Sequence, residues 1–169
     1  MAINGIPVGI YSLDTYQPAS AAGSLLGRVR AQMLVALDTE LARDEVLGPL
    51  EVTAAQLIVL VKLADSDRPI AISELCKGIS YEAGAMTRML DRLEAKGLVR
   101  RSRSEQDRRV VLLALTEAGR TAYPRVREMS LRINNRALGD FAPAEAAQLE
   151  SFLLRMSHNL KTHSQEAQP

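Results

Sequence analysis

A chain of 169 residues with 21 basic and 20 acidic side chains, formally +1, fits one domain or one subunit of a compact dimer. Its 47% hydrophobic content is enough for a core, while 4% aromatics and no Trp argue against single-strand or RNA binding by base stacking. One cysteine allows no intrachain disulfide, no apolar run approaches the roughly 18 residues of a membrane span, and no signal pattern opens the chain, so the cytoplasm is the expected compartment.

Residues 1–19 are punctuated by Gly5, Pro7, Gly9 and Pro18 and read as an extended N-terminal arm. Ile3, Ile6, Ile10, Tyr11, Leu13 and Tyr16 make it too apolar for a freely solvated tail, so part of it is expected to pack on the body or on a partner subunit. Residues 20–47 carry a long helix signal, with Leu26, Val29, Met33, Leu37 and Leu41 at spacings of three and four. Leu25, Leu34 and Val35 lie off that stripe, and a helix apolar on more than one side needs more than one cover. Gly48 and Pro49 are expected to end this helix, and Thr53 to cap the next, a nearly all-apolar helix over residues 54–64.

The most informative stretch follows. Residues 70–72 suit a short strand, residues 73–77 a short helix broken by Gly78. Ser80 suits the N-cap of a second helix that runs to Lys96 and stops at Gly97, with Met86, Met89, Leu90 and Leu93 on its buried face. Residues 98–103 and 110–115 read as strands around a polar turn. Helix, helix, strand, turn, strand is a winged helix-turn-helix over residues 53–116, whose second helix reads the major groove. Arg88, Arg92, Lys96, Arg100, Arg101, Arg103, Arg108 and Arg109 fall here, opposed by Asp91, Glu94, Glu105 and Asp107. A near-neutral chain thus concentrates positive charge where a duplex would lie.

Thr116 is expected to cap a long helix over residues 117–138, with Ala122, Val126, Met129, Ile133 and Ala137 as its stripe and Pro124 inside it. Gly139 and Asp140 break it, Pro143 stands near the start of a last helix, and residues 164–169 are expected to fray. Leu149, Phe152, Leu153, Met156 and Leu160 give that last helix an apolar face.

The segment DRLEAKGLVRRSRSEQDRRVVLLALTEAG resembles the signature of the multiple-antibiotic-resistance regulator (MarR) family: an Asp-x-Arg wing at Asp107, Arg108 and Arg109, a hydrophobic strand, then Leu115 and Thr116 before a long helix. The resemblance extends over roughly residues 20–163. It implies a mainly α fold: a winged helix-turn-helix with its α/β wing hairpin, flanked by N- and C-terminal dimerisation helices at 20–47 and 117–163. It further implies a homodimeric, ligand-responsive repressor that binds double-stranded DNA at a pseudo-palindromic operator, with half-sites roughly 10 bp apart. The effector expected from the family is a small aromatic or phenolic anion, and Arg28, Arg30, Met33 and Leu57 are candidate linings of its crevice.

Ser80, Tyr81, Gly84, Ala85, Thr87, Arg88 and Arg92 are the candidate DNA-reading positions of the second helix. Arg88 suits a bidentate pair with guanine or, equally, a phosphate contact. In the wing, the family motif assigns Arg109 to the minor groove, braced by Asp107, with Arg108 on phosphate; alternatively Asp107 and Arg109 only stabilise the hairpin. Cys76 has two readings, a small hydrophobe of the short helix or a redox sensor whose thiol Lys77 would activate. His158 and His163 have no partner at ligand spacing, and no nucleophile motif or phosphate loop occurs, so no metal, cofactor or enzymatic activity is expected. The competing class is a helical protein-interaction module, against which the arginine-rich wing argues.

Overall fold

The computed structural model describes residues 2–3, 6–7, 10–79 and 83–166, with the backbone alone at 2–3, 6–7, 78, 83 and 163–166. The chain divides into two compact units, residues 1–131 and 132–169.

The first unit opens with a two-stranded hairpin, β1 (Ala2–Ile3) against β2 (Ile6–Pro7), where the sequence suggests only an extended arm. A turn follows, tied by reciprocal bonds between Ser12 and Thr15, and the rings of Tyr11 and Tyr16 meet edge to face at 5.5 Å. The Tyr11 hydroxyl accepts the Ala22 N–H (3.2 Å), fastening the arm to the start of α1 (Ala22–Arg43).

Helix α1 stops four residues before the expected end. Asp44 leaves the helical conformation, and its carboxylate accepts the N–H groups of Val46 (2.9 Å) and Leu47 (2.8 Å), a local turn that competes with another helical turn. Arg125 reaches the other carboxylate oxygen at 3.3 Å. Burial pushes the Asp44 carboxyl up, but the Leu47 and Val46 N–H groups and the Arg125 guanidinium outweigh it and hold the pKa below its ordinary 3.8.

Helix α2 (Ala54–Ala64) has Thr53 at its N-cap position, as its sequence predicts. The Gln56 side-chain oxygen accepts the Thr53 N–H (3.1 Å), which gives the oxygen of this buried side chain a partner. Leu57, Val59, Leu60 and Leu63 place α2 in the centre of the core. Strand β3 (Ile70–Ala71) leads into α3 (Ile72–Ile79), which continues through Gly78 rather than breaking there. Ile72, Leu75, Cys76 and Ile79 all face the core at helical spacing, and that packing overrides the roughly 1 kcal/mol penalty of an interior glycine.

Helix α4 (Ala83–Ala95) buries Met86, Leu90 and Leu93 completely, with Met89 at the margin. Strands β4 (Val99–Arg103) and β5 (Val111–Leu115) form the hairpin, and β3 joins it to give an antiparallel sheet of order β3-β5-β4, with Ile70 opposite Leu113 and Val99 opposite Leu115. Helix α5 (Glu117–Leu138) runs uninterrupted through Pro124, and its Ala122, Val126 and Met129 close the core of this unit.

The second unit holds the end of α5 and α6 (Pro143–Glu166). Gly139, at φ +20°, marks the break. Pro143 occupies the first helical position, where its missing N–H is harmless, and the Glu145 carboxylate caps the Ala142 N–H at 2.8 Å. The helix reaches Glu166, three residues into the stretch expected to fray; residues 167–169 lie outside the described residues. Phe152, Leu153, Leu154 and Leu160 are exposed along α6, with the Arg155 guanidinium 5.3 Å from the Phe152 ring centre.

Candidate nucleic-acid interface

The geometry starts at the end of α4. Gly97 takes φ +68°, its N–H reaches Glu94 O (2.9 Å), and the Leu98 N–H reaches Leu93 O (3.0 Å), a paired closure that satisfies two orphan helix carbonyls. Thr116 ties this corner to the far end of the hairpin. Its hydroxyl donates to Gly97 O (2.5 Å), its N–H to Leu98 O (3.1 Å), and its oxygen caps the Gly119 N–H (3.0 Å). The wing is therefore pinned at both roots to the end of α4 and the start of α5.

At the tip, the Ser104 hydroxyl accepts the N–H groups of Gln106 and Asp107, and Val110 N–H bonds Asp107 O at 2.9 Å. Arg103 crosses the hairpin to the Arg108 carbonyl at 2.8 Å. One Asp107 oxygen accepts both the backbone N–H (3.0 Å) and Nε (3.3 Å) of Arg109. Arg109 is nonetheless 93% exposed, so the carboxylate orients its guanidinium without covering it. Arg108 is exposed as well.

On α4, Gly84, Thr87, Arg88 and Arg92 are exposed and Ala85 is half-buried, while Ser80 and Tyr81 lie outside the described residues. No described acidic residue pairs with Arg88 or Arg92. Besides Arg109, which Asp107 orients, three basic residues in this stretch are engaged within the chain. Lys96 donates to the carbonyls of Leu50 and Glu51, holding the turn before α2. Arg101 pairs with Asp91 (2.7 Å) and Glu94 (2.9 Å), and Arg103 holds the wing. The sequence offers no signal for the Lys96 bonds, whose partners lie 45 and 46 residues away. The charge free to face a ligand is thus narrower than the sequence count, and it comprises Arg88, Arg92, Arg100, Arg108 and Arg109.

The other candidate residues scatter. Leu57 is 2% exposed in the core, Arg28 bonds the Ala19 carbonyl (3.0 Å), Arg30 is exposed and Met33 is half-buried. An open cavity of about 470 Å3 borders Lys62, Asp65, Ser66, Asp67, Arg68, Ile70 and Glu74, and none of those four lines it. Cys76 is half-buried against the core.

Two helices joined by a short connection, with a three-stranded sheet whose β4–β5 hairpin follows them and projects basic side chains, define a winged helix-turn-helix. The MarR family profile matches residues 52–111, the stretch from the start of α2 to the wing. The multiple antibiotic resistance protein MarR of Escherichia coli (strain K12) is 46% identical over 78 residues, covering 45% of this chain and 52% of its own, so the match spans about half that relative. A cysteine-to-serine mutant of E. coli MarR complexed with operator DNA is 32% identical, with TM-score 0.67 over 79% of this chain and 91% of that one. Bordetella bronchiseptica BpsR, whose DNA binding is regulated by 6-hydroxynicotinic acid, is 25% identical, with TM-score 0.72 over 84% of this chain and 96% of that one. The chain belongs to the MarR family of winged helix-turn-helix transcriptional regulators.

Proposed function

We propose that the protein is a sequence-specific double-stranded DNA-binding regulator, acting as a homodimeric repressor on a pseudo-palindromic operator. The observation that carries this reading is the presentation of Arg109: an exposed guanidinium in the wing, aimed by its bond to Asp107, in the same unit as the exposed Arg88 and Arg92 of α4. In this reading α4 enters the major groove, with Arg88 on a guanine edge or phosphate, and Arg109 enters the narrow, electronegative minor groove beside it. Residues 53–116 read DNA, and residues 20–47 and 117–163 dimerise. Exposed apolar side chains support the dimer on each element taken by itself: Leu25, Leu26, Val29 and Val35 on α1, and Phe152, Leu153, Leu154 and Leu160 on α6.

By likeness to BpsR, the effector is a small aromatic anion that prefers the geometry unable to bind the operator and so lowers DNA affinity by linkage. The reading carries a cytoplasmic location with it, because a regulator of this kind works where the duplex is; separately, among the described residues no helix is long and apolar enough to cross a membrane.

Fluorescence anisotropy tests this, with the duplex upstream of the protein's own gene, a scrambled duplex as control, and a salt titration of both. Tight, salt-sensitive binding that strongly prefers the upstream duplex is expected. No binding at any salt would move the reading to a protein-interaction module.

A further inference from the structure

We propose that Arg101, on the wing strand β4, is a positioning residue for DNA reading: it occupies the carboxylates of Asp91 and Glu94 on α4 and so leaves Arg88 and Arg92 available to the duplex. The inference rests on the DNA-binding reading above.

Helix α4 carries two arginines, Arg88 and Arg92, against two carboxylates, Asp91 and Glu94, so by itself it has no net charge to offer a phosphate backbone. Asp91 stands three residues after Arg88, a spacing at which opposite charges on a helix meet and pair. They are not paired here. One nitrogen of Arg101, Nη1, lies 2.7 Å from Asp91 Oδ1 and 2.9 Å from Glu94 Oε2, claiming both acids at once. The Arg101 side chain is 26% exposed and its Nε is buried without a partner, so this guanidinium is held at a polar cost and is too covered to be a DNA ligand first. The acids it holds remain about half exposed, at 55% and 42%, and carboxylates left uncompensated there would repel phosphate and compete for Arg88.

The test uses the full-length protein in four forms besides the wild type: Arg101→Met, Arg101→Lys, the pair Asp91→Asn with Glu94→Gln, and that pair combined with Arg101→Met. Anisotropy with the upstream and scrambled duplexes gives affinity, and thermal unfolding reports integrity. Arg101→Met is expected to weaken binding about tenfold, through two uncovered negative charges beside the phosphates. Arg101→Lys, which keeps the charge, is expected to fall between. Removing both carboxylates in the Arg101→Met background is expected to restore affinity to within about twofold, because the charges that needed cover are gone. The pair alone is expected to bind at least as tightly as the wild type, and this holds even if Arg101→Met does not fold.

Failure of the combined variant to regain affinity, or a loss of affinity in the pair, would show that Arg101 contacts DNA itself or acts only as a tether, and would overturn the inference. Wild-type affinity in Arg101→Met would overturn it too. A wild type that binds neither duplex would instead remove the DNA-binding reading beneath it.

Discussion

Arg109 and Lys96 are both basic residues of the same stretch, and the structure separates them. The Arg109 side chain is 93% exposed and bonds only its neighbour Asp107, so Arg109→Ala should leave the unfolding midpoint unchanged and weaken duplex binding by about 1–3 kcal/mol. Unchanged affinity at moderate salt would remove Arg109 from the interface. Lys96 holds two backbone carbonyls, so Lys96→Met should lower stability by about 1–2 kcal/mol in urea denaturation while leaving the salt dependence of DNA binding intact. A salt slope shallower by about one unit in that variant would reveal a phosphate contact instead.

Asp44 gives a third, pH-dependent expectation. Its folded pKa lies below the ordinary 3.8, so the ionised carboxylate stabilises the fold fully above that value, and the contribution is lost as pH falls through the lower, folded pKa. Asp44→Asn should therefore cost about 1–3 kcal/mol near neutrality, and the gap from wild type should narrow below about pH 3.8. A gap independent of pH would mean that the carboxylate's charge is not what stabilises this turn.

The secondary-structure elements themselves were legible wherever one local signal sufficed. The apolar spacing of Met86, Leu90 and Leu93 marks the buried face of α4, and Thr116 marks the start of α5. The ends of α1 and α3 were not legible, because in both the deciding contact competes with a stronger-looking local signal. Gly48 and Pro49 look like the stop of α1, yet the Asp44 carboxylate ends it earlier; Gly78 looks like a break in α3, yet core packing carries the helix past it. The junction between β4 and α5 is tight. A Cβ on Gly119 would lie 2.2 Å from Leu98 O, so Gly119→Ala should force the start of α5 off the wing root and cost about 1–3 kcal/mol, read from a shift in the urea midpoint at constant slope.

At the scale of the whole chain, the protein is proposed to work only in pairs. The α6 side chains Leu153 and Leu154, 36% and 72% exposed, have apolar area to bury. Replacing both with Ser should raise the dimer dissociation constant at least about tenfold in sedimentation experiments, given roughly 1.5–3 kcal/mol for each fully buried apolar side chain. An unchanged constant would put the interface elsewhere. A dimer also sets the spacing of two reading heads, so the same variant should lose preference for a two-half-site duplex while keeping weak binding to a single half-site.

What the sequence determined by itself was the class of protein: helical periodicity, cap residues and the Asp107–Arg109 wing motif are read within a few residues of one another, and the forces behind them are equally local. Only the tertiary structure decided which charges are available to a partner. Lys96, Arg101 and Arg103 count as basic in any sequence tally, but each spends its charge on an acceptor that the fold brings near. Arg88, Arg92 and Arg109 keep theirs facing outward. The reason is physical: a helix or a hairpin turn is set by neighbours along the chain, whereas the pairing of a long, flexible side chain depends on which distant acceptor is carried to within about 3 Å of it.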